Sequence, residues 1–178
     1  MIDIVDESGK VLRSMPKTEA HKHGWLHATV IGYLRYGDDW ALVRQTADRQ
    51  EPGQLVASVG GHVRSGESYE EALLREAEEE IGTSNISYKL IGKVRFHRQI
   101  IGRDENHLFI IYEISTSDKI TLGSEAVAIE RFSPEAFKET LANSPKEFGD
   151  SCYFVLEHFY PSYLPKSYKK RWKPDGTG

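Results

Sequence analysis

Residues 60–83 read GGHVRSGESYEEALLREAEEEIGT: a glycine pair, a polar loop and a carboxylate-rich segment. In the last part the apolar side chains recur at every fourth position, at Leu73, Ala77 and Ile81. This spacing predicts an amphipathic helix over residues 69–81. Ser68 and Glu71 have the spacing of a capping box, and Gly82 stands where a glycine commonly ends a helix. The stretch therefore predicts a loop that leads into one well-bounded helix.

The polar side of the predicted helix concentrates negative charge, because residues 67–80 contain seven Glu and one Arg. Glu79 and Glu80 follow Glu76 by three and four positions, so all three carboxylates are expected on one side of the helix. Like charges at this spacing cost about 0.2–0.5 kcal/mol per pair in an isolated helix. A hard divalent cation such as Mg²⁺ would offset that repulsion. The alternative interpretation is a solvated acidic surface.

The order of the charged residues is more specific than their number. The fixed letters of the pattern G-x5-E-x7-R-E-U-x-E-E-x-G-U are all matched, by Gly61, Glu67, Arg75, Glu76, Glu79, Glu80 and Gly82. The segment therefore resembles the Nudix box. Ala77 and Thr83 depart from the bulky aliphatic residues that usually occupy two packing positions of this box.

The resemblance implies an α/β/α sandwich around a mixed sheet and hydrolysis of a diphosphate bond. It implies that Glu76 and Glu80 are the main metal ligands, for Mg²⁺ or alternatively Mn²⁺. Glu79 would be a further ligand or a proton acceptor, and the Gly60 carbonyl would contribute to the metal site. Arg75 would orient the carboxylates, with Glu67 as its partner.

The resemblance also implies an additional base outside the helix, for which Glu105 and Glu113 are the candidates. Glycines at 60 and 61 would let the backbone approach metal and phosphate closely. Five arginines outside the box could bind phosphate: Arg44, Arg49, Arg64, Arg95 and Arg98. Arg64 is the best placed of them because it lies in the loop just before the helix, although a solvated surface role is the alternative for each.

Segments outside the box, including Ser58 to Val63, resemble the isopentenyl-diphosphate isomerase branch of the superfamily. These isomerases carry a catalytic cysteine where this chain has Gly60, and a catalytic acid where it has His107. The only cysteine, Cys152, is far away in the sequence. Since isomerase residues are missing while the box is intact, the comparison favours a hydrolase.

The same resemblance points to a second metal site, because the isomerases form one from three His and two Glu. His27, His62 and His107, with His21 nearby, fall at or close to those positions. Imidazoles together with Glu105 would suit Zn²⁺ or Mn²⁺. The alternative is that these histidines are structural or surface residues.

The length and composition of the chain limit the classes of protein to which it can belong. A chain of 178 residues suits a single domain, which we place at residues 1–165, followed by a basic, partly disordered tail at 166–178. One cysteine excludes an internal disulfide framework. A formal net charge of −4 argues against a nucleic-acid polymer as partner, and no apolar run is long enough to predict a membrane span.

The sequence thus predicts a cytoplasmic α/β enzyme with an N-terminal β-hairpin, a Mg²⁺-dependent Nudix pyrophosphohydrolase. Its substrate would be a small nucleoside diphosphate derivative or another organic diphosphate, and a homodimer is compatible with the resemblance. Two alternatives stay open: an isopentenyl-diphosphate isomerase-like enzyme and a non-catalytic nucleotide-binding module. Strands are expected at residues 28–36, 40–43, 55–59, 88–97, 108–114 and 127–132. Further helices are expected at 134–141 and 151–159.

Overall fold

The computed structural model describes residues 1–100 and 103–173. Its strands are β1 (Ile2–Val5), β2 (Val11–Met15), β3 (His27–Tyr36), β4 (Asp39–Gln45), β5 (Leu55–Val56), β6 (Val59–His62), β7 (Ser87–Ile100), β8 (Arg103–Ser115) and β9 (Ala126–Phe132). Its helices are α1 (Lys17–Lys22), α2 (Tyr69–Ile81), α3 (Pro134–Asn143) and α4 (Asp150–Phe159). Two short 3₁₀ turns lie at Pro145–Glu147 and Pro161–Tyr163.

Strand β3 is the centre of a mixed sheet. It runs parallel to β8 and antiparallel to β1, β4 and β6. The β8 strand also pairs with β7, and β4 pairs with β5 and β9. The N-terminal hairpin of β1 and β2 forms as the sequence predicts. One long strand therefore organises most of the sheet.

Alternation along β3 sends its side chains to two different cores. Val30 and Leu34 pack with the apolar face of α2. Tyr33 packs on the opposite face, in a cluster that includes residues of α3 and α4 such as Phe137 and Phe154. Helices thus cover both faces of the mixed sheet, and the predicted α/β/α sandwich is confirmed.

Helix α2 begins and ends where the sequence predicts. The Ser68 side chain accepts a hydrogen bond from the Glu71 backbone, and the Glu71 carboxylate accepts one from the Ser68 backbone. Gly82 ends the helix with φ of +77°, a left-handed conformation that glycine adopts without steric cost. Local capping chemistry therefore fixes this helix independently of its packing.

Two predicted segments differ from the structure. The predicted strand at 55–59 is two strands, and the second, β6, continues through Gly60 and Gly61 to His62 because it pairs with β3. Residues 103–106 lie between the strands predicted at 88–97 and 108–114, but they are extended and belong to β8. Pairing with β7 overrides their polar composition. Residue 102 lies outside the described part of the chain.

The first part of the predicted basic tail packs on the domain. Tyr168 donates a hydrogen bond from its hydroxyl to Glu157 over 2.5 Å, and the Arg171 backbone amide donates to the same carboxylate over 2.8 Å. Arg171 also pairs with Asp150 at 2.7 Å. Residues 174–178 lie outside the described part. Among the described helices, none combines the length and apolar character that crossing a bilayer requires.

Candidate functional site

The carboxylates of α2 meet the glycine pair of β6. The Gly60 amide donates a hydrogen bond to Glu80 Oε2 over 2.6 Å. The Glu76 carboxylate lies against Gly61 so closely that a Cβ on Gly61 would overlap it. Two carboxylates one helical turn apart therefore contact two successive glycines at the edge of the sheet.

Burial disfavours the charged form of both carboxylates. Burial raises the pKa of Glu80 to about 8, with the nearby charges of Glu76 and Glu125 adding to the effect. Burial likewise raises the pKa of Glu76, although Arg75 opposes that shift. Grouped carboxylates with disfavoured charge are the donor set that suits a hard divalent cation. The residues present fit Mg²⁺ or Mn²⁺.

Arg75 is locked in place from two sides. Its guanidinium donates two hydrogen bonds to the Glu67 carboxylate, at 2.7 and 2.9 Å, and one to the His62 carbonyl at 3.0 Å. Its third nitrogen, Nη1, donates to Glu76 over 2.5 Å. The bonds from Arg75 lower the pKa of Glu67. Glu67 and Arg75 thus form a charged support that orients Glu76, the arrangement that the sequence predicts for this pair.

Glu79 and Arg64 lie at the exposed rim of the same region. Arg64 Nη2 donates to Glu79 Oε1 over 3.3 Å, and these side chains are 59% and 52% exposed. The Arg64 backbone amide donates to Glu67 over 2.9 Å. Glu79 is therefore close to the carboxylate pair yet solvated, and Arg64 is free to reorient toward solvent.

A cleft opens beside Glu80 on the sheet face that α4 covers. Gly60, His62, Glu80, Arg98, Glu105 and Glu125 are among the residues that line it. Because Gly60 and His62 are two positions apart on β6, they face the same side. Glu80 reaches the cleft from the opposite layer around the sheet edge, where its carboxylate meets the Gly60 amide.

Inside the cleft, Arg98 lies between two buried carboxylates. It donates to Glu105 over 2.7 Å and to Glu51 over 2.9 Å. Glu51 also accepts from the backbone amide and hydroxyl of Ser151, at 2.9 and 2.5 Å. Glu105 therefore lies in the cleft, as a base candidate should, but is engaged by Arg98. Glu113 bonds instead to Tyr160 at 3.0 Å and Arg35 at 3.5 Å.

A loop that the sequence gives no reason to select completes the site. The Gly123 amide donates to the Glu80 carbonyl over 2.9 Å, and a Cβ on Gly123 would overlap the Glu79 carbonyl oxygen. This contact places Glu125 in the cleft, where it pairs with Arg49 at 2.6 Å. No local motif marks these residues, since only the close packing of the loop on α2 brings them to the site.

The structure brings four histidines together at one end of the cleft. One ring nitrogen from each of His21, His27, His62 and His107 lies within 4.8 Å of the others. Nε2 of His21 and Nε2 of His62 are 3.1 Å apart. Nε2 of His27 and Nε2 of His107 are buried without a hydrogen-bond partner. Burial lowers the pKa of His27 to about 4 and lowers the pKa of His107.

Cys152 does not face the carboxylate site. It is completely buried among the aromatic residues of the α4 layer. Burial raises the pKa of its thiol to about 12. A neutral, enclosed thiol cannot act as a nucleophile or acid toward a ligand in the cleft.

Comparison with known proteins agrees with this site. The family model described as the NUDIX domain matches residues 25–152. That range contains the whole of α2, the glycine pair and the cleft strands β3 to β8. The chain belongs to the Nudix hydrolase family.

Two of its relatives are also Nudix hydrolases. It is 32% identical over 139 residues to an uncharacterised Nudix hydrolase of Streptomyces coelicolor, over 76% of this chain and 75% of that one. It is 39% identical over 84 residues to one from Nostoc, over 46% of this chain and half of that one. A crystal structure of a Deinococcus radiodurans protein superposes with a TM-score of 0.68 at 24% identity, over 88% of this chain and 97% of that one.

Proposed function

We propose that this protein is a Mg²⁺-dependent hydrolase that cleaves the diphosphate bond of a nucleoside diphosphate derivative or another organic diphosphate. One observation carries the proposal. The carboxylates of Glu76 and Glu80 lie against Gly61 and Gly60, and Glu80 and both glycines line a cleft. Acidic side chains and accessible backbone at one point form a site where a cation and a phosphate can meet.

In the proposed mechanism each residue has a distinct task. Glu76 and Glu80 would hold the cation, with the Gly60 carbonyl as a further oxygen donor. Arg75 fixes the orientation of Glu76, and Glu67 fixes Arg75. When bound, Mg²⁺ would neutralise phosphate charge and activate water for in-line attack.

Release of the attacking water's proton needs an acceptor near the cation site. Glu79 is the acceptor on α2 that remains solvated. Glu105 lies in the cleft but can accept a proton only if its bond to Arg98 loosens. We therefore assign the acceptor role to Glu79 ahead of Glu105.

The test is chromatographic detection of cleavage products, with and without Mg²⁺, from nucleoside di- and triphosphates, ADP-ribose, nucleotide sugars, dinucleoside polyphosphates and isopentenyl diphosphate. Glu80→Gln should lower cleavage at least about a hundredfold, because the cation loses a charged ligand. Glu78→Gln on the exposed side of α2 is the matched control and should retain activity. Full activity of Glu80→Gln, isomerised isopentenyl diphosphate, or nucleotide binding without cleavage would each contradict the proposal.

The histidine cluster supports a second metal site, which we propose is filled by Zn²⁺ or Mn²⁺. The supporting observation is the pair of buried, unpartnered Nε2 atoms on His27 and His107, beside His62. Four imidazoles favour Zn²⁺, whereas Mg²⁺ prefers oxygen ligands. Calorimetric titration of Zn²⁺ into chelator-treated protein should show one tight site that His27→Ala removes. An unchanged titration in His27→Ala would contradict this site.

A further inference from the structure

Arg49 occupies an anchored position at the cleft. It lies on the loop between β4 and β5, and it lines the cleft together with Gly60 and Glu80. The loop is closed by hydrogen bonds from Gly53 to the Gln45 carbonyl at 3.1 Å and from Glu51 to the Gln45 side chain at 3.0 Å. Arg49 is therefore presented by a folded loop.

The guanidinium of Arg49 is held at Nη2 and has an unsatisfied donor at Nε. Its Nη2 pairs with Glu125 Oε2 at 2.6 Å. Its Nε is buried and has no hydrogen-bond partner. A buried donor without an acceptor is unusual in a folded protein and calls for a partner. Arg49 also lines the cleft, so an anion bound in the cleft would lie beside this incompletely satisfied guanidinium.

The other arginines near the site are less suited to an anion. Arg98 is shared by Glu51 and Glu105, so those three side chains together carry a formal charge of −1. Arg64 bonds Glu79 at the exposed rim and does not line the cleft. Among the described residues that line the cleft, Arg49 is thus the arginine with an unpaired donor.

We propose that Arg49 binds the phosphate groups of the substrate in the cleft and that Glu125 positions its guanidinium. This inference rests on the proposed function, because it takes a diphosphate as the ligand. A guanidinium is planar, permanently charged and forked, so it can meet two phosphate oxygens at once. In a cleft dominated by carboxylates, this fixed cation complements the metal by meeting oxygens that the metal leaves free.

Glu125 suits the positioning role because it is fixed to the same loop. Its carbonyl oxygen accepts a hydrogen bond from the Thr46 amide over 3.1 Å, three residues before Arg49. Its carboxylate holds Nη2, whereas Nε has no hydrogen-bond partner. Without Glu125, the long arginine side chain would have to lose more conformational freedom when a phosphate binds.

The test is calorimetric binding of imidodiphosphate, a non-hydrolysable diphosphate, in saturating Mg²⁺. Arg49→Gln should weaken binding about tenfold or more, and Arg49→Lys should weaken it less, because a charge remains but the fork is lost. Glu125→Gln should weaken it by about two- to fivefold. Arg131→Gln is the matched control, because Arg131 forms a 2.7 Å pair with Asp39 at the surface, and it should bind as the wild type does.

Kinetics separate this role from a purely structural one. On whichever diphosphate the wild type cleaves, Arg49→Gln and Glu125→Gln should raise KM with little change in kcat, because ground-state binding is lost. Equal thermal midpoints establish that each variant is folded. Wild-type affinity in Arg49→Gln and Arg49→Lys, or no binding of imidodiphosphate to the wild type, would overturn the inference.

The two proposals can fail separately. Binding that depends on Arg49, without cleavage of any diphosphate, would support the phosphate site and contradict the hydrolase. Cleavage that is unaffected by Arg49→Gln, with unchanged KM, would support the hydrolase and contradict the phosphate site.

Discussion

The backbone amide of Gly60 donates a hydrogen bond to the Glu80 carboxylate over 2.6 Å, joining a β-strand on one side of the cleft to the helix behind it. The two residues are twenty positions apart in the sequence. The loop and helix α2 between them bring the chain back to the side of Gly60. This contact sets the position of Glu80, and one helical turn earlier the Glu76 carboxylate packs closely against Gly61.

Gly61 should be needed for its lack of a side chain. In Gly61→Ala the new methyl group would displace the Glu76 carboxylate, so the affinity for Mn²⁺ should fall about tenfold. Gly60→Ala is the steric comparison, because its methyl group would meet Ile31 at an ordinary 3.5 Å and the variant should keep the wild-type thermal midpoint. Titration of Mn²⁺ followed by electron paramagnetic resonance measures the affinity. Equal Mn²⁺ affinity in Gly61→Ala and the wild type would exclude this steric role.

The pair of Glu67 and Arg75 should stabilise the fold in a pH-dependent way. Because Arg75 lowers the folded-state pKa of Glu67, the carboxylate contributes stability above its unfolded pKa, about 4.5. That contribution is lost as the pH falls through the lower folded-state pKa. Glu67→Gln should therefore lower the free energy of unfolding by about 1–3 kcal/mol at pH 7.

Urea denaturation at a series of pH values checks this expectation. The difference between the wild type and Glu67→Gln should be constant above about pH 6 and should shrink below about pH 4.5. A difference that persists unchanged at pH 3 would mean that packing, not charge, causes it.

Arg98 should be far more important to stability than an exposed arginine. Arg98→Met would leave Glu51 and Glu105 buried without their cation, and removing one partner from such a group costs about 3–5 kcal/mol. Arg131→Met breaks the surface pair with Asp39 and should cost about 0–1 kcal/mol. Urea denaturation of both variants gives the comparison. Similar losses in the two would show that Arg98 is not compensating buried charge.

The thiol of Cys152 should be inert in the folded protein. Its burial and its pKa of about 12 leave little thiolate at pH 8, so reaction with Ellman's reagent should be slow. The same thiol should react rapidly in about 8 M urea, which unfolds most small domains.

Catalysis provides a second check on Cys152. Cys152→Ala should retain the activity of the wild type, with a loss of stability of about 1–2 kcal/mol from the small cavity. Loss of activity in a folded Cys152→Ala variant would revive the isomerase-like alternative, in which a cysteine is catalytic.

Much of the carboxylate site could be predicted from the sequence because its information is local. The positions of Glu76, Glu79 and Glu80 follow from helical spacing, and Ser68 and Gly82 set the ends of that helix through short-range hydrogen bonds. A pattern of fixed residues within one loop and one helix is enough to specify such a segment. The sequence also determined the class of fold and the grouping of these carboxylates on one helix.

Only the tertiary structure determined which residues face the carboxylates of α2. Arg49 and Glu125 come from loops 76 positions apart, and they meet because one loop packs on the end of α2 while the other closes on β4. The resemblance makes Glu105 one of two base candidates, yet the pairing of β7 with β8 places Arg98 directly beside it. Such contacts depend on strand register and loop packing. Both are formed by backbone hydrogen bonds between distant residues, and these bonds depend little on which residues are present.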